Sequence, residues 1–335
     1  MRHALTILLA FAAGVLLALW WPVHRPTPVV GDHPALATPA SVEPADSSAG
    51  VALDNWPTQG PTPEQILYAQ PRMMREALSG LGPRVPGKPN LYLLAFAGDG
   101  GEDVFRNEAE YAAQLFAQRF GASAHSLVLE NNPATLTTRP LASWSNLETA
   151  LEGLGKTMQP EQDILLLYLT SHGDEEHNLL LDMDPLPLDQ LGASDLAGIL
   201  AMHPFKWKVL VVNACYSGGF VPPLRGPGTL VLTAARADRS SFGCGSDSDI
   251  TYFGRAWLVD ALNHTDNFAD AFKRASGEIS QWERQDKLTP SEPQIDVGSG
   301  ITTQLALWRK GITPGPAVPF KPALPAASAS AATPR

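Results

Sequence analysis

The sequence predicts an α/β fold with a mostly parallel central sheet covered by helices on both faces. Two observations carry that expectation. Short runs that are apolar at nearly every position recur through the middle of the chain, and stretches of helical periodicity separate them. A strand with one wet face alternates apolar and polar residues, whereas a strand buried on both faces reads as a continuous apolar run. Strand and helix in regular succession then imply parallel strands joined by crossover helices.

Five strands are expected, over Leu91–Phe96 (LYLLAF), Ser126–Leu129 (SLVL), Asp163–Thr170 (DILLLYLT), Val209–Val212 (VLVV) and Thr229–Thr233 (TLVLT). The helical stretches are Val104–Phe120, Asn146–Met158 behind a candidate Ser145 cap, Ser194–Met202, Thr251–Asn263 and Asn267–Arg284. No internal repeat is present. These elements define one domain over residues 63–310, long enough at this size to bury a substantial core.

The flanks read differently. After Met1, Arg2 and His3 come eighteen uncharged residues, Ala4–Trp21, ending in Trp20 and Trp21. Residues 1–21 are a membrane anchor or signal. The apolar run exceeds a signal peptide's usual core, the nearest Ala-x-Ala lies far downstream at Ala35–Ala37, and a terminal aromatic pair suits a membrane interface. We therefore expect a single-pass inner-membrane anchor with the body in the periplasm or outside. Residues 22–62 are rich in Pro, Ala, Thr and Ser and read as a tether, and residues 311–335 share the bias and read as a disordered tail.

Composition excludes some functions. Lys and Arg total 24 against 34 Asp and Glu, a net charge of −10, which disfavours the nucleic-acid backbone as a partner. The two cysteines, Cys215 and Cys244, are too few for a disulfide scaffold or a four-cysteine zinc site. Neither a metal nor a cofactor is expected, and the sequence does not set an oligomeric state.

In open sheets of this kind, ligands bind beyond the carboxyl ends of the strands. The third strand runs into Ser171-His172-Gly173-Asp174, and the fourth into Asn213-Ala214-Cys215-Tyr216-Ser217-Gly218-Gly219. If those strands are neighbours, His172 and Cys215 share a crevice. A thiol becomes a strong nucleophile on losing its proton, and an imidazole can move that proton to a leaving amine, so the pair suits acyl transfer. The backbone N–H groups of Gly173 and Cys215 would supply an oxyanion site. Taken singly, a buried cysteine is more often an inert core thiol, and a histidine at a strand end a satisfied polar residue; their joint placement favours catalysis.

LLLYLTSHGD and KVLVVNACYSGG resemble the paired signatures of caspase-like cysteine peptidases. AGDGGEDVFRNEAEYAAQLF and RADRSSFGCGSDSDITYFGRAW are similar to further signatures of the legumain family, peptidase family C13, here of a bacterial membrane-anchored type. The resemblance spans most of residues 90–285. It implies a caspase-like three-layer sandwich and a peptide or protein substrate cut after Asn or Asp, or transamidation. By position it implies Cys215 as nucleophile, His172 as its acid and base, and Arg106, Asn213 and Asp247 as substrate-binding residues. Three positions depart from the family: Ser171 replaces an Asp, Asn213 a Glu, and Val104 an Asn that orients the histidine. The resemblance also sets Cys244 beside the pocket, either as a thiol able to oxidise onto Cys215 or as an inert buried one.

Two rival functions stay open. Asp174, His177, Asp182 and Asp184 surround His172 in sequence, which suggests a metal hydrolase, although the spacing fits no compact zinc motif. The other rival is a membrane-tethered binding module that keeps the fold without activity.

Overall fold

Six strands form one mixed sheet in the order β2-β1-β3-β6-β7-β8. The molecule is described by a computed structural model, which covers residues 56–57 and 59–322. The expected anchor and nearly all of the expected tether lie outside the described residues. Among the described residues no helix is long and apolar enough to cross a membrane.

The chain runs α1 (Pro63–Ser79), β1 (Leu91–Ala97), α2 (Asp103–Phe120), β2 (Ser126–Glu130), α3 (Trp144–Thr157) and β3 (Ile164–Thr170). A small hairpin, β4 (Asn178–Leu179) and β5 (Leu191–Gly192), leads into α4 (Ala193–Ala201) and β6 (Trp207–Asn213). After α5 (Val221–Leu224) and β7 (Thr229–Thr233) come a π-helical segment, Gly254–Ala261, then α6 (Phe268–Gln285), β8 (Gln294–Val297) and α7 (Ile301–Lys310). β1, β2, β3, β6 and β7 pair in parallel; β8 closes the β7 edge antiparallel.

Alternate side chains of the central strands enter two separate cores, as the two-residue period requires. Leu91, Leu93, Ile164, Leu166 and Tyr168 pack with Phe105, Leu115, Trp257 and Phe268 on one face. Tyr92, Leu94, Leu165, Leu167 and Leu169 pack with Leu147, Leu151, Leu196 and Ile199 on the other. All seven residues of β1 and of β3 are buried, which is why both strands read as unbroken apolar runs. Full burial of each such aliphatic side chain contributes about 1.5–3 kcal/mol, and the sum holds the three layers together. The expected α/β class, a mostly parallel sheet with helices on both faces, is the one observed.

Several boundaries move. Ser143, not Ser145, caps α3, its side chain accepting from Asn146 N at 3.3 Å. The helix expected over Thr251–Asn263 is π-helical from Gly254 to Ala261. α1, β8 and α7 are additional elements. α1 starts at a capping box in which Thr62 Oγ1 accepts from Gln65 N and Gln65 Oε1 from Thr62 N.

Disorder from Gly311 onward does not hold for the first part of that stretch. Val318 is buried; its N–H donates to Asn263 Oδ1 at 2.8 Å, and its carbonyl accepts from Tyr111 Oη at 2.8 Å. Phe320 meets the Tyr111 ring edge-on, and Gly315 N donates to Arg119 O at 2.8 Å. Val318 and Phe320 are two apolar anchors in a Pro-rich segment whose overall composition hides them.

Candidate active site

Strand register builds the site. Ala97 of β1 pairs with Thr170 of β3, and Thr170 pairs with Asn213 of β6. Two residues beyond each of these stand Asp99, His172 and Cys215, one from each of three adjacent strands. Parallel strands in register thus deliver a carboxylate, an imidazole and a thiol in one row at the carboxyl edge of the sheet.

Asp99 is buried and divides its two oxygens. Oδ1 accepts from Gly101 N at 2.8 Å, and Oδ2 lies 3.4 Å from His172 Nε2. The Phe105 ring meets the imidazole edge-on, with centroids 5.0 Å apart. His172 is therefore oriented by Asp99 and Phe105, whereas Val104 beside Phe105 is buried in the core. Ser171, at the position of a family Asp, is buried and donates through Oγ to Leu180 O at 2.5 Å, fixing the strand end.

Cys215 is half-buried. Tyr216 after it adopts a left-handed conformation (φ 54°), an uncommon one for a side-chain-bearing residue, and a 3-10 turn, Ser217–Phe220, follows. The chain therefore turns sharply at the thiol. Cys215 Sγ accepts from Ser241 N at 3.3 Å and lies 3.6 Å from both Ser241 Oγ and Ser241 O. Its ionisation is pulled down to about 5, first by the neighbouring Cys244 thiol, against the opposing effect of burial, with Ser241 and the field of His172 assisting. Cys244 is pushed well above the ordinary thiol range by the same contact and by burial. Both cysteines are free. No hydrogen bond joins His172 to Cys215 among the described residues.

Gly173 presses against the Cys215 backbone: a Cβ there would stand 2.3 Å from Cys215 O and 3.1 Å from Ala214 Cβ. Around it, Asp174 N donates to Asn178 O and Leu180 N to His172 O, a wide bridge that does not use the Gly173 N–H. Neither the Gly173 N–H nor the Cys215 N–H meets an acceptor among the described residues.

The residues expected to bind substrate are held in three different ways. Arg106 is 2% exposed on the first turn of α2, with Nη1 donating to Asn132 Oδ1 at 3.0 Å and Nη2 3.3 Å from Asp103 Oδ1. Asn213 lies beneath the site at 1% exposure; its Nδ2 donates to Glu108 Oε2 at 2.6 Å and to Thr251 Oγ1 at 2.9 Å. Asp247 is exposed on the loop after β7. Its charge reaches Glu102, whose carboxyl is raised first by burial, then by Asp99, with Asp103 and Asp247 adding to it and His172 opposing.

Glu108, which the sequence gives no reason to single out, is fully buried at the centre of a polar hub. Its oxygens accept from Tyr168 Oη (2.9 Å), Thr170 Oγ1 (2.6 Å), Asn213 Nδ2 (2.6 Å) and Thr251 N (2.8 Å). Gly254 leaves the space it needs, since a Cβ there would come within 2.2 Å of Glu108 Oε1. Asp99 and Ser241 were also missed. For Asp99 a signal existed, its place two residues past the first strand, but Gly-Asp-Gly-Gly reads equally well as a turn.

The remaining residues of the metal reading shape the loop. Asp174 accepts from Asn178 N and Nδ2, and the His177 ring meets Tyr216 O through Nδ1 at 3.1 Å. Among the described residues no group of three or more His, Cys, Asp or Glu side chains is arranged to hold a metal ion.

The Peptidase C13 family model matches residues 145–304. That span, a little under half of the chain, contains His172, Asn213, Cys215, Ser241, Cys244 and Asp247 and leaves out β1 and α2 with Asp99, Arg106 and Glu108. A search of curated proteins gives no match. Among solved structures the chain is similar to the crystal structure of caspase-1 from Spodoptera frugiperda, at 11% identity and a TM-score of 0.44, over 65% of this chain and 92% of that one.

Proposed function

We propose that the chain is a cysteine endopeptidase of the C13 type. The observation that carries this reading is the row of Asp99, His172 and Cys215 on three adjacent strand ends, with two unused N–H groups beside the sulfur. In this mechanism Cys215 attacks the scissile carbonyl carbon as a thiolate, and the carbonyl oxygen takes the negative charge against the N–H groups of Gly173 and Cys215. The C–N bond breaks as protonated His172 gives its proton to the leaving amine. Nε2 faces Asp99, so Nδ1 is the nitrogen that exchanges this proton. Water then attacks the thioester while His172 takes a proton back, and the acid product leaves with the thiolate restored.

For the bond cut we propose Asn, with Asp accepted, on the strength of the resemblance at Arg106 and Asp247. Asn213 provides a neutral amide where legumains have an acid, so an anionic Asp side chain meets one fewer repelling charge. Contact between Arg106 and substrate requires its bonds to Asn132 and Asp103 to loosen.

The test is cleavage of a proteome-derived peptide library by the full chain, beside Cys215→Ala and His172→Ala. Each substitution should cut kcat/KM by about 10³–10⁴ or more, because the two groups act as one unit. Unchanged cleavage in Cys215→Ala overturns the reading. Adding an amine-terminated acceptor peptide separates hydrolysis from transamidation by product mass, and a chain that cuts nothing in any library is the binding module.

A further inference from the structure

Among the described residues no hydrogen bond joins His172 to Cys215, yet the loop that follows one is fastened to the turn that follows the other. The fastening is His177 on Tyr216. Four described non-glycine residues have a left-handed backbone, and these are two of them, at φ 64° and φ 54°. Such conformations are costly for a residue with a side chain and persist where the surroundings over-determine them. His177 Nδ1 lies 3.1 Å from Tyr216 O. A carbonyl can only accept, so Nδ1 carries the ring proton and donates it. The ring is seated against Gly219, where any Cβ would fall 2.1 Å from His177 Cγ and 2.3 Å from its Nδ1 and Cδ2. Both partners are anchored from behind. His177 N donates to Asp174 O and His177 O accepts from Ala193 N, each at 3.1 Å, while Asp174 takes two further bonds from Asn178. Tyr216 N donates to Arg239 O at 2.7 Å, and Ser217 Oγ accepts from Ala235 N at 3.1 Å. A second tie between loop and turn, Tyr216 Oη to Glu175 Oε1 at 3.3 Å, is exposed.

We propose that His177 is a positioning residue, whose imidazole clamps the His172 loop to the Cys215 turn and so sets the distance between the proton carrier and the sulfur. This rests on the peptidase reading for its purpose, though not for its mechanics. With no direct bond between His172 and Cys215, their separation is set by how the two backbones sit against each other. Reaction between positioned groups falls by about 10² for a misplacement of about 1 Å, so a contact that fixes this separation acts on the chemical step rather than on substrate binding. Histidine suits the post for two reasons. Its flat ring fits against a bare glycine, and its Nδ1 donor sits one bond from Cγ, within reach of the carbonyl across the gap. Asparagine carries its NH2 on the same branch atom and tolerates a left-handed backbone, which makes it the conservative replacement.

The experiment compares the full parent chain with His177→Phe, His177→Gly and His177→Asn by two readouts. One is hydrogen exchange of the Cys215–Phe220 segment, read by mass spectrometry; the other is kcat and KM for one peptide that the parent cuts. Phe keeps a ring and removes the donor. Gly removes both and fits the left-handed backbone without strain, so the test survives a Phe variant that fails to fold. In both, the segment should exchange about fivefold or more faster, the factor that one lost hydrogen bond gives, with β3 and β6 unchanged. Turnover should fall about tenfold to a hundredfold in kcat. KM should stay within about twofold, as it does when substrate binding is untouched. His177→Asn should bring exchange and kcat back to within about threefold of the parent. Exchange that does not change in Phe and Gly overturns the clamp, and so does a rise in KM at constant kcat, which would make His177 a substrate contact. An Asn variant as impaired as Phe overturns it too, because the donor would then not be the cause. Exchange reads the clamp whether or not any peptide is cut, so a turn that loosens in Phe and Gly and tightens in Asn, in a chain without cleavage, sinks the peptidase reading alone.

Discussion

Cys215 is flanked by two polar regions of opposite construction. Below it, Asn213 ends β6 inside the Glu108 hub, where one carboxyl takes four donors at 2.6–2.9 Å and is closed to solvent. Above it, Ser241 contacts the sulfur at 3.3–3.6 Å from a loop that is only half-buried. The hub ties β3, β6, α2 and the Thr251 turn to one another, so it fixes where the strand ends stand. The loop touches the Cys215 sulfur itself, where the Ser241 contacts favour the thiolate. Position and reactivity are thus assigned to separate networks, and substitutions in one should leave the other's readout alone.

The largest effect expected from breaking this division is on stability. Glu108→Ala leaves buried hydroxyl, amide and backbone donors without their acceptor, and each such group costs roughly 1–3 kcal/mol before neighbours relax. A loss of at least about 3 kcal/mol in urea unfolding, at unchanged slope, is expected. A loss below about 1 kcal/mol would show that Asn213, Tyr168 and Thr170 satisfy one another without the carboxyl and that the hub is not what spaces the strand ends.

Gly173→Ala probes the boundary between the two regions. Its Cβ would fall 2.3 Å from Cys215 O, which is backbone and has no flexible end to swing aside. The Gly173 N–H must then shift from the proposed oxyanion site. Loss of one such donor costs about 10²–10³ in kcat, and the same fall is expected here with the pH midpoint of Cys215 alkylation by iodoacetamide unchanged. A midpoint that moves with turnover would mean that the strand end and the Ser241 loop are one unit.

The legible part of this arrangement is the part that burial dictates. β1, β3, β6 and β7 announce themselves because both of their faces are covered, and His172 and Cys215 because each follows such a strand directly. β8 is a four-residue edge strand whose Ile295 and Val297 are exposed, so no apolar run marks it. α1 carries Pro71 within it and shows the solvent a mostly polar surface. Glu108 shares α2 with Asp103 and Glu110, where a buried acid and a solvated one have the same one-letter appearance. Ser241 is one of two consecutive serines in a loop, and only the folded register tells which of them meets the sulfur. Asn213 was legible as the polar residue ending a strand and Arg106 only through the family resemblance, but their enclosure by Asp103, Asn132 and Glu108 depends on contacts across the fold.

Glu108→Gln is the gentlest way to sharpen the comparison, because it keeps shape and alters only charge and one acceptor. The amide NH2 must replace either Oε1, which faces Thr251 N–H, or Oε2, which faces three donors; the first choice loses the fewest bonds. A cost of about 1–3 kcal/mol follows for the single mismatched pair. Its pH dependence carries the information. Burial raises the Glu108 carboxyl above the ordinary glutamate value of 4.5, outweighing the hydrogen bonds from Thr170, Thr251 and Tyr168 that lower it. A group whose folded value lies above its unfolded one stabilises the fold fully below the unfolded value and loses that contribution as pH rises through the folded value. The parent should therefore lose some of its advantage over Glu108→Gln as pH climbs above 4.5, since glutamine carries no charge to bury. Urea midpoints for both proteins across that range give the difference directly. A gap that widens with pH would mean that the four donors outweigh burial and keep Glu108 ionised, and the hub would then be an anion site built from a backbone N–H, an amide and two hydroxyls.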